Sequence, residues 1–195
     1  MIQNKIAKVG DIKTIADLIK CPVEKASTLI TGFLSGPMCG KCFPCSMGSY
    51  EARTILNDLM EGNGTASEFH NLKRIAAEML ESSMCKKGKD IAAFVTEYID
   101  EEIFNSHVNG ICPSQTCKNL IEYKVIADKC TMCGLCKDAC KYNAIHGEKA
   151  VPFRSSFYPF DIRQTKCVTC GECIKVCPVD AIILVDAKDA QPVSV

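Results

Sequence analysis

No apolar run in this sequence approaches the roughly 20 residues needed to cross a bilayer, which points to a soluble protein. The N-terminal MIQNKIAKVGDIKTIADL has no apolar core and no small-residue cleavage site, so no export signal is expected. Charge of one sign is also missing. Lys and Arg number 23 and Asp and Glu number 23, which leaves no excess to draw nucleic acid or a membrane surface. The 3 histidines are scattered and form no Ser/His/Asp constellation. The one tight glycine pair, Gly62-Asn63-Gly64, lies between predicted helices without a preceding strand, so it reads as a turn rather than a dinucleotide site. Asp100-Glu101-Glu102 falls on a polar helical stretch and is expected to be solvated rather than to work as an acid/base pair. Tryptophan is absent, which excludes nothing by itself.

What the chain has in abundance is cysteine, 15 in 195 residues. In a secreted chain that number would suggest disulfides, whereas in a reducing cytoplasm such thiols are metal ligands. Two runs near the C-terminus share one spacing, Cys130-x2-Cys133-x2-Cys136-x3-Cys140 and Cys167-x2-Cys170-x2-Cys173-x3-Cys177-Pro178. Three closely spaced thiolates hold three corners of a [4Fe–4S] cube, and the fourth ligand comes from the other run. One cluster is therefore expected at Cys130, Cys133, Cys136 and Cys177, and another at Cys140, Cys167, Cys170 and Cys173. Zinc would explain a single C-x2-C pair but not a repeated quartet. CTMCGLCKDACKYNAI and CVTCGECIKVCPVDAI align without gaps, including Gly134 with Gly171 and Ala144-Ile145 with Ala181-Ile182, as expected of an internal duplication. Over about residues 120 to 187 the sequence resembles bacterial ferredoxins with two [4Fe–4S] clusters. It departs from them after Cys140, where Lys141 stands in place of proline. The added N–H and positive charge are expected to raise the potential of the cluster that includes Cys140.

A third constellation lies upstream, in Met38-Cys39-Gly40-Lys41-Cys42-Phe43-Pro44-Cys45, with Cys85 as its fourth ligand. Two helices are predicted between Cys45 and Cys85. The first carries Ala52, Ile55, Leu56 and Leu59-Met60, and the second Leu72, Ile75, Ala76, Met79 and Leu80 at helical period. Thr65-Ala66-Ser67-Glu68 opens the second as a capping box, and an antiparallel pair would return Cys85 to the starting loop. A third helix, with Ile91, Phe94-Val95, Tyr98-Ile99 and Ile103, completes a small bundle.

This region resembles the NADH-binding flavoprotein subunit of respiratory complex I and its relatives in NAD-linked and electron-bifurcating hydrogenases, whose cluster loop reads CGKCxPC. The resemblance implies a helical domain holding one [4Fe–4S] cluster through Cys39, Cys42, Cys45 and Cys85, with Gly48 and Gly88 matching family glycines. Ser46 departs from the arginine usual there. In the hydrogenase branch the bundle is followed by a segment like Cys112-Pro113-Ser114-Gln115-Thr116-Cys117-Lys118 and then by a two-cluster ferredoxin, the order seen across residues 15 to 187. The family's flavin and NADH module has no counterpart here, so binding of FMN or NAD by this chain alone is not expected.

Cys21, Cys112 and Cys117 remain, with His107 just upstream of the last two in H-x4-C-x4-C. Two interpretations stand. The four side chains form a zinc site that pins the bundle to the ferredoxin, or they are buried thiols beside an unrelated histidine. His70 and His146 have no ligand spacing. The segment from Val151 to Phe160, rich in aromatics and proline, either covers the clusters or docks a partner. The expected fold class is α+β, with a helical iron–sulfur domain over 1–106, a linker over 107–125 and a ferredoxin domain over 126–195. The expected function is that of a cytoplasmic electron-transfer subunit, not catalytic alone. It would work between a flavin/NAD(P)H-binding subunit and a catalytic redox subunit such as a hydrogenase or formate dehydrogenase, with soluble ferredoxin as a further partner. A free multi-cluster carrier and a metal-stabilised adaptor are the alternatives.

Overall fold

The computed structural model describes residues 8–152 and 159–188, so most of the aromatic segment between Val151 and Phe160 lies outside the described residues. The chain divides into two compact units, Met1–Leu120 and Ile121–Val195, a boundary that falls within the stretch 107–125.

The described residues of the first unit form the helices α1 (Val9–Asp17), α2 (Pro22–Ser35), α3 (Phe43–Glu61), α4 (Ala66–Ser82), α5 (Lys86–Tyr98) and α6 (Glu101–Val108), followed by turns up to Leu120. Local chemistry sets the ends. Pro22 and Pro44 occupy the first turns of α2 and α3, where the missing N–H costs nothing. Gly62, at φ 79, closes α3 in the left-handed conformation that glycine adopts without strain. Thr65 and Glu68 form the expected reciprocal capping box on α4. The apolar faces meet in one core that includes Leu29, Ile30, Phe33, Leu56, Leu59, Leu72, Ile91, Val95 and Phe104.

Two local expectations change. The stripe from Ile91 to Ile103 is two helices, because the Asp100 carboxylate accepts the Ile103 N–H and caps a new helix instead of lying inside an old one. Leu80, placed on the α4 stripe, is exposed. α1 is tied to α5 by the Tyr98 hydroxyl, which donates to Asp17 at 2.6 Å. That bond, followed by the Lys13 charge, holds the Asp17 carboxyl below its usual range. A carboxylate depressed in the folded state stabilises above its unfolded pKa, and the gain is lost as pH falls through the folded value. Tyr98→Phe is therefore expected to lower the melting temperature at pH 7, by an amount that shrinks as the medium is acidified below about pH 4. Equal differences at neutral and at strongly acid pH in parallel thermal melts would contradict this.

The second unit is built around two short antiparallel pairs. β1 (Ile121–Val125) pairs with β4 (Ile182–Asp186), with Ile121 opposite Asp186 and Val125 opposite Ile182. β2 (Ile145–His146) pairs with β3 (Asp161–Ile162). Short helices α7 (Leu135–Ala139) and α8 (Glu172–Lys175) follow the two cysteine loops. The duplication read from sequence recurs in the backbone. Left-handed residues fall at Met132 and Thr169, at Gly134 and Gly171, and at Asn143 and Asp180, with φ equal within a few degrees in each pair. Among the described residues the buried apolar cluster of this unit includes Ile145, Phe160, Ile162 and Ile182 together with Cys136 and Cys173.

Candidate iron–sulfur and metal sites

In the helical unit four cysteines converge from two helix starts. Cys42 immediately precedes α3, Cys45 lies in its first turn, Cys85 immediately precedes α5, and Cys39 sits exposed on the loop before α3. The N-terminal ends of α3 and α5 present unsatisfied N–H groups and favour negative charge at the sulfurs. Gly40, at φ 68, makes the tight loop, and the Lys87 ammonium donates to the Pro37 carbonyl at 3.5 Å, tying that loop to α5. Burial, then the neighbouring Cys42, Cys85 and Cys39 sulfurs, push the Cys45 thiol up to about 11. Mutual repulsion of this kind is what a cationic iron core relieves.

Glycine makes the close packing around this loop sterically feasible. A Cβ on Gly48 would lie 2.9 Å from Met79 Sδ, and one on Gly88 would lie 3.0 Å from Cys45 Sγ and 2.8 Å from Ser83 Oγ. Ser46, where the resembling family usually has arginine, turns its hydroxyl back to donate to the Cys42 carbonyl at 3.0 Å.

In the second unit the crossed sets line two recesses. One is walled by Cys130, Cys133, Cys136 and Cys177 with Val125, Phe160 and Ile182. The other is walled by Cys140, Cys167, Cys170 and Cys173 with Tyr123, Ile145 and Ile162. Backbone N–H groups point at the sulfurs in matching places: Ala144 donates to Cys140 Sγ at 3.4 Å, and Ala181 donates to Cys177 Sγ at 3.3 Å. Thr169 does the same for Cys167 at 3.4 Å. Burial pushes the Cys173 thiol up to about 11, opposed by the Ile174 N–H and reinforced by the Cys167 sulfur, and burial likewise raises Cys136. Four sulfur donors around an apolar recess, with amide donors aimed at the sulfurs, fit a [4Fe–4S] cube in each. Lys141 carries its charge close enough to Glu172, on the wall of the second recess, to help Lys175 hold that carboxyl down.

The remaining cysteines also gather. Cys21, His107, Cys112 and Cys117 are all buried, and their ligand atoms lie within 4.8 Å of one another. Cys21 immediately precedes α2, His107 is on α6, and the two other cysteines lie in the segment after α6. The His107 ring sits 2.8 Å from the Ile103 carbonyl through Nδ1, which fixes the proton there and turns the Nε2 lone pair inward. Nε2 then lies 3.3 Å from Cys21 Sγ and 3.4 Å from Cys117 Sγ, and those two sulfurs are 3.7 Å apart. A tetrahedral zinc with ordinary bond lengths has edges of about 3.5–3.8 Å. Hydrogen bonds from Cys117 and Cys21 draw the Cys112 thiol down, and Cys112 and Cys21 drive Cys117 up. The protons are thus contested in a way that a divalent cation would settle. All four residues belong to the first unit, which corrects the expectation of a pin between bundle and ferredoxin. A metal here would fasten α6 and the segment up to Leu120 onto the start of α2. His70 is exposed on α4 and His146 lies in β2; neither joins this group.

Sequence reasoning passed over Ser49 and Ser83, both buried, each with a hydroxyl that has no partner among the described residues. Serine carries no spacing signature, so nothing short of the fold reveals them.

Comparison with known proteins bears on these sites. The NADH-ubiquinone oxidoreductase-F iron-sulfur binding region matches residues 25–109, and a 4Fe-4S dicluster domain matches residues 129–181. The HndC component of the NADP-reducing hydrogenase of Solidesulfovibrio fructosivorans is 30% identical over 141 residues, 71% of this chain and 29% of the relative. The F component of the NADH-quinone oxidoreductase of Streptomyces coelicolor is 33% identical over 101 residues, 50% of this chain and 22% of the relative. The beta component of the NADP(+)-dependent formate dehydrogenase of Moorella thermoacetica is 30% identical over 67 residues, 34% of this chain and 10% of the relative. The chain therefore spans less than a third of the length of each of these relatives.

Fold and sites together define an iron–sulfur protein with two successive cluster-binding domains. More particularly, the chain joins the NADH-ubiquinone oxidoreductase-F iron–sulfur binding region to a 4Fe-4S dicluster domain and is homologous to these components of a hydrogenase, a quinone oxidoreductase and a formate dehydrogenase. Among the described residues no helix is long and apolar enough to cross a membrane.

Proposed function

We propose that this chain is a cytoplasmic electron-transfer subunit of an NAD(P)-linked oxidoreductase complex, a hydrogenase or formate dehydrogenase, and that it is not catalytic alone. It would hold three [4Fe–4S] clusters, at Cys39/Cys42/Cys45/Cys85, Cys130/Cys133/Cys136/Cys177 and Cys140/Cys167/Cys170/Cys173, and one structural zinc at Cys21/His107/Cys112/Cys117. The observation that carries the reading is the gathering of three complete four-sulfur sets in one small chain. Each cluster, when bound, stores and passes single electrons. Because every iron already has a thiolate, the residues offer a substrate no open position, which favours relay over catalysis. Each set includes one exposed cysteine, Cys39, Cys133 or Cys170, so a partner can approach each within a short distance. The partners are a flavin/NAD(P)H-binding subunit on one side and a catalytic redox subunit or soluble ferredoxin on the other, with bifurcation depending on the flavin partner.

Anaerobic purification from the native cell, with identification of every co-purifying chain and of bound iron, sulfide and zinc, tests this. A stable complex with a flavin-containing chain is the expected result. A solitary reducible monomer would make the protein a free carrier, and redox silence would make it an adaptor.

Lys141 supplies a narrower test. Its N–H and positive charge stabilise the reduced state of the cluster at Cys140, Cys167, Cys170 and Cys173. Lys141→Pro is expected to lower that potential by on the order of 50 mV, close to a tenfold change in a one-electron couple. Potentials that stay put in both ferredoxin clusters would refute this assignment.

A further inference from the structure

The chain turns sharply between α4 and α5 through Ser83-Met84-Cys85, and the turn places a hydroxyl where the fold gives it nothing to do. Ser83 closes the last turn of α4 by donating its backbone N–H to the Met79 carbonyl at 3.1 Å, which leaves its side chain directed inward. The residue is 3% exposed, and its Oγ has no hydrogen-bond partner among the described residues. An orphaned buried hydroxyl costs about 1–3 kcal/mol. The other hydroxyls of the helical bundle mostly avoid that cost: Ser46, Thr54, Thr96 and Ser106 donate to carbonyls one turn back, and Ser27 donates to Asn57.

What lies beside Ser83 gives the hydroxyl a target. A point one bond length from Gly88 Cα, where a Cβ would stand, is 2.8 Å from Ser83 Oγ and 3.0 Å from Cys45 Sγ. Hydroxyl and thiol thus flank the same small gap, with α5 held back from it by the bare glycine. Cys45 is itself 4% exposed, so water does not serve its sulfur well, and of the four thiols it is the one buried deepest among its neighbours.

We propose that Ser83 is a hydrogen-bond donor to the cluster held by Cys39, Cys42, Cys45 and Cys85, its O–H directed at a cluster sulfide beside Cys45, and that it raises the potential of that cluster. The inference rests on the assignment of a cluster to these four cysteines. Reduction adds one negative charge to the cluster, formally at iron and shared with the sulfurs through the Fe–S bonds, so a donor to sulfur stabilises the reduced form more than the oxidised one. Ser83 is a positioning and tuning residue and ligates no iron. Its effect separates this cluster from the two in the ferredoxin unit, whose sulfurs receive backbone N–H groups and no serine hydroxyl among the described residues.

The test is EPR-monitored redox potentiometry of the anaerobically reconstituted full chain, wild type against Ser83→Ala and Ser83→Thr, with iron and sulfide measured on each. Ser83→Ala should keep its iron and reduce the helical-unit cluster about tenfold less readily at fixed ambient potential, a fall of about 59 mV for a one-electron couple. The ferredoxin clusters should not move and so serve as internal references, and Ser83→Thr, which keeps a hydroxyl, should stay near wild type. A merely buried hydroxyl predicts the opposite pattern: Ser83→Ala slightly more heat-stable with an unchanged potential, and that result overturns the proposal. Should Ser83→Ala fail to retain this cluster, the threonine variant decides, since a tenfold shift there would also overturn it. Wild-type protein lacking iron at these four cysteines would instead remove the underlying cluster assignment, an outcome read from the iron content before any potential is measured.

Discussion

Gly88→Ala is expected to abolish cluster assembly in the helical unit while the ferredoxin unit stays loaded. The added methyl would stand 2.8 Å from Ser83 Oγ and 2.9 Å from Ser83 Cβ, closer than real Cβ contacts run, and 3.0 Å from Cys45 Sγ, at the tight end of such contacts. Ser83 is held by the end of α4 and Cys45 by the first turn of α3, so neither yields easily, and the clash falls on a ligand atom. The backbone does not share in the damage. Gly88 lies within α5 with helical geometry, where alanine is favoured over glycine by about 1 kcal/mol. Overpacking costs about 1–3 kcal/mol, so the fold should survive while the sulfur moves off its position. The loss should read as roughly four iron atoms per chain. Gly10→Ala, which meets nothing within 4 Å on α1, is the matched control and should keep full loading. A Gly88→Ala protein with the iron content of wild type would show that the gap beside Cys45 is not needed.

Cys112→Ser/Cys117→Ser should lose one zinc per chain and sharply destabilise the helical unit. Binding at a structural zinc site of this kind is worth on the order of 10 kcal/mol at neutral pH, and most of that is folding free energy for the segment it fastens. The double variant also leaves Cys21 and His107 buried together without a cation, among side chains that are fully enclosed. The expected signature is a melting temperature well below that of wild type and insensitive to chelator, against a wild-type transition that falls when zinc is stripped. Unchanged zinc content in the double variant would eliminate the site, as would wild-type protein that carries no zinc. The two ferredoxin sets lie in the other compact unit and share no ligand with this group, so their loading serves as the control.

The cysteine runs are legible because ligand spacing is a covalent property of a short loop. C-x2-C-x2-C places three sulfurs within reach of one cube whatever the rest of the chain does, and the repeat of that loop marks the duplication before any coordinates exist. The capping box at Thr65 and Glu68 and the stripes of α3 and α4 are local in the same sense. The break between α5 and α6 is less visible, since Asp100 is compatible with a helix interior until its carboxylate finds the Ile103 N–H.

By itself, then, the sequence determined the cofactor class, the paired cluster spacing in the ferredoxin unit and the helical character of the first unit, all of which depend on neighbours along the chain. Tertiary structure alone decided that Cys21 meets His107 across 86 positions, that these two and Cys112 and Cys117 gather wholly within the first unit, and that Ser83 and Gly88 share a gap with Cys45. The physical reason is the same in each case. These meetings are produced by how helices pack their apolar faces, and packing sums contacts between residues far apart in sequence, which no local period or spacing records.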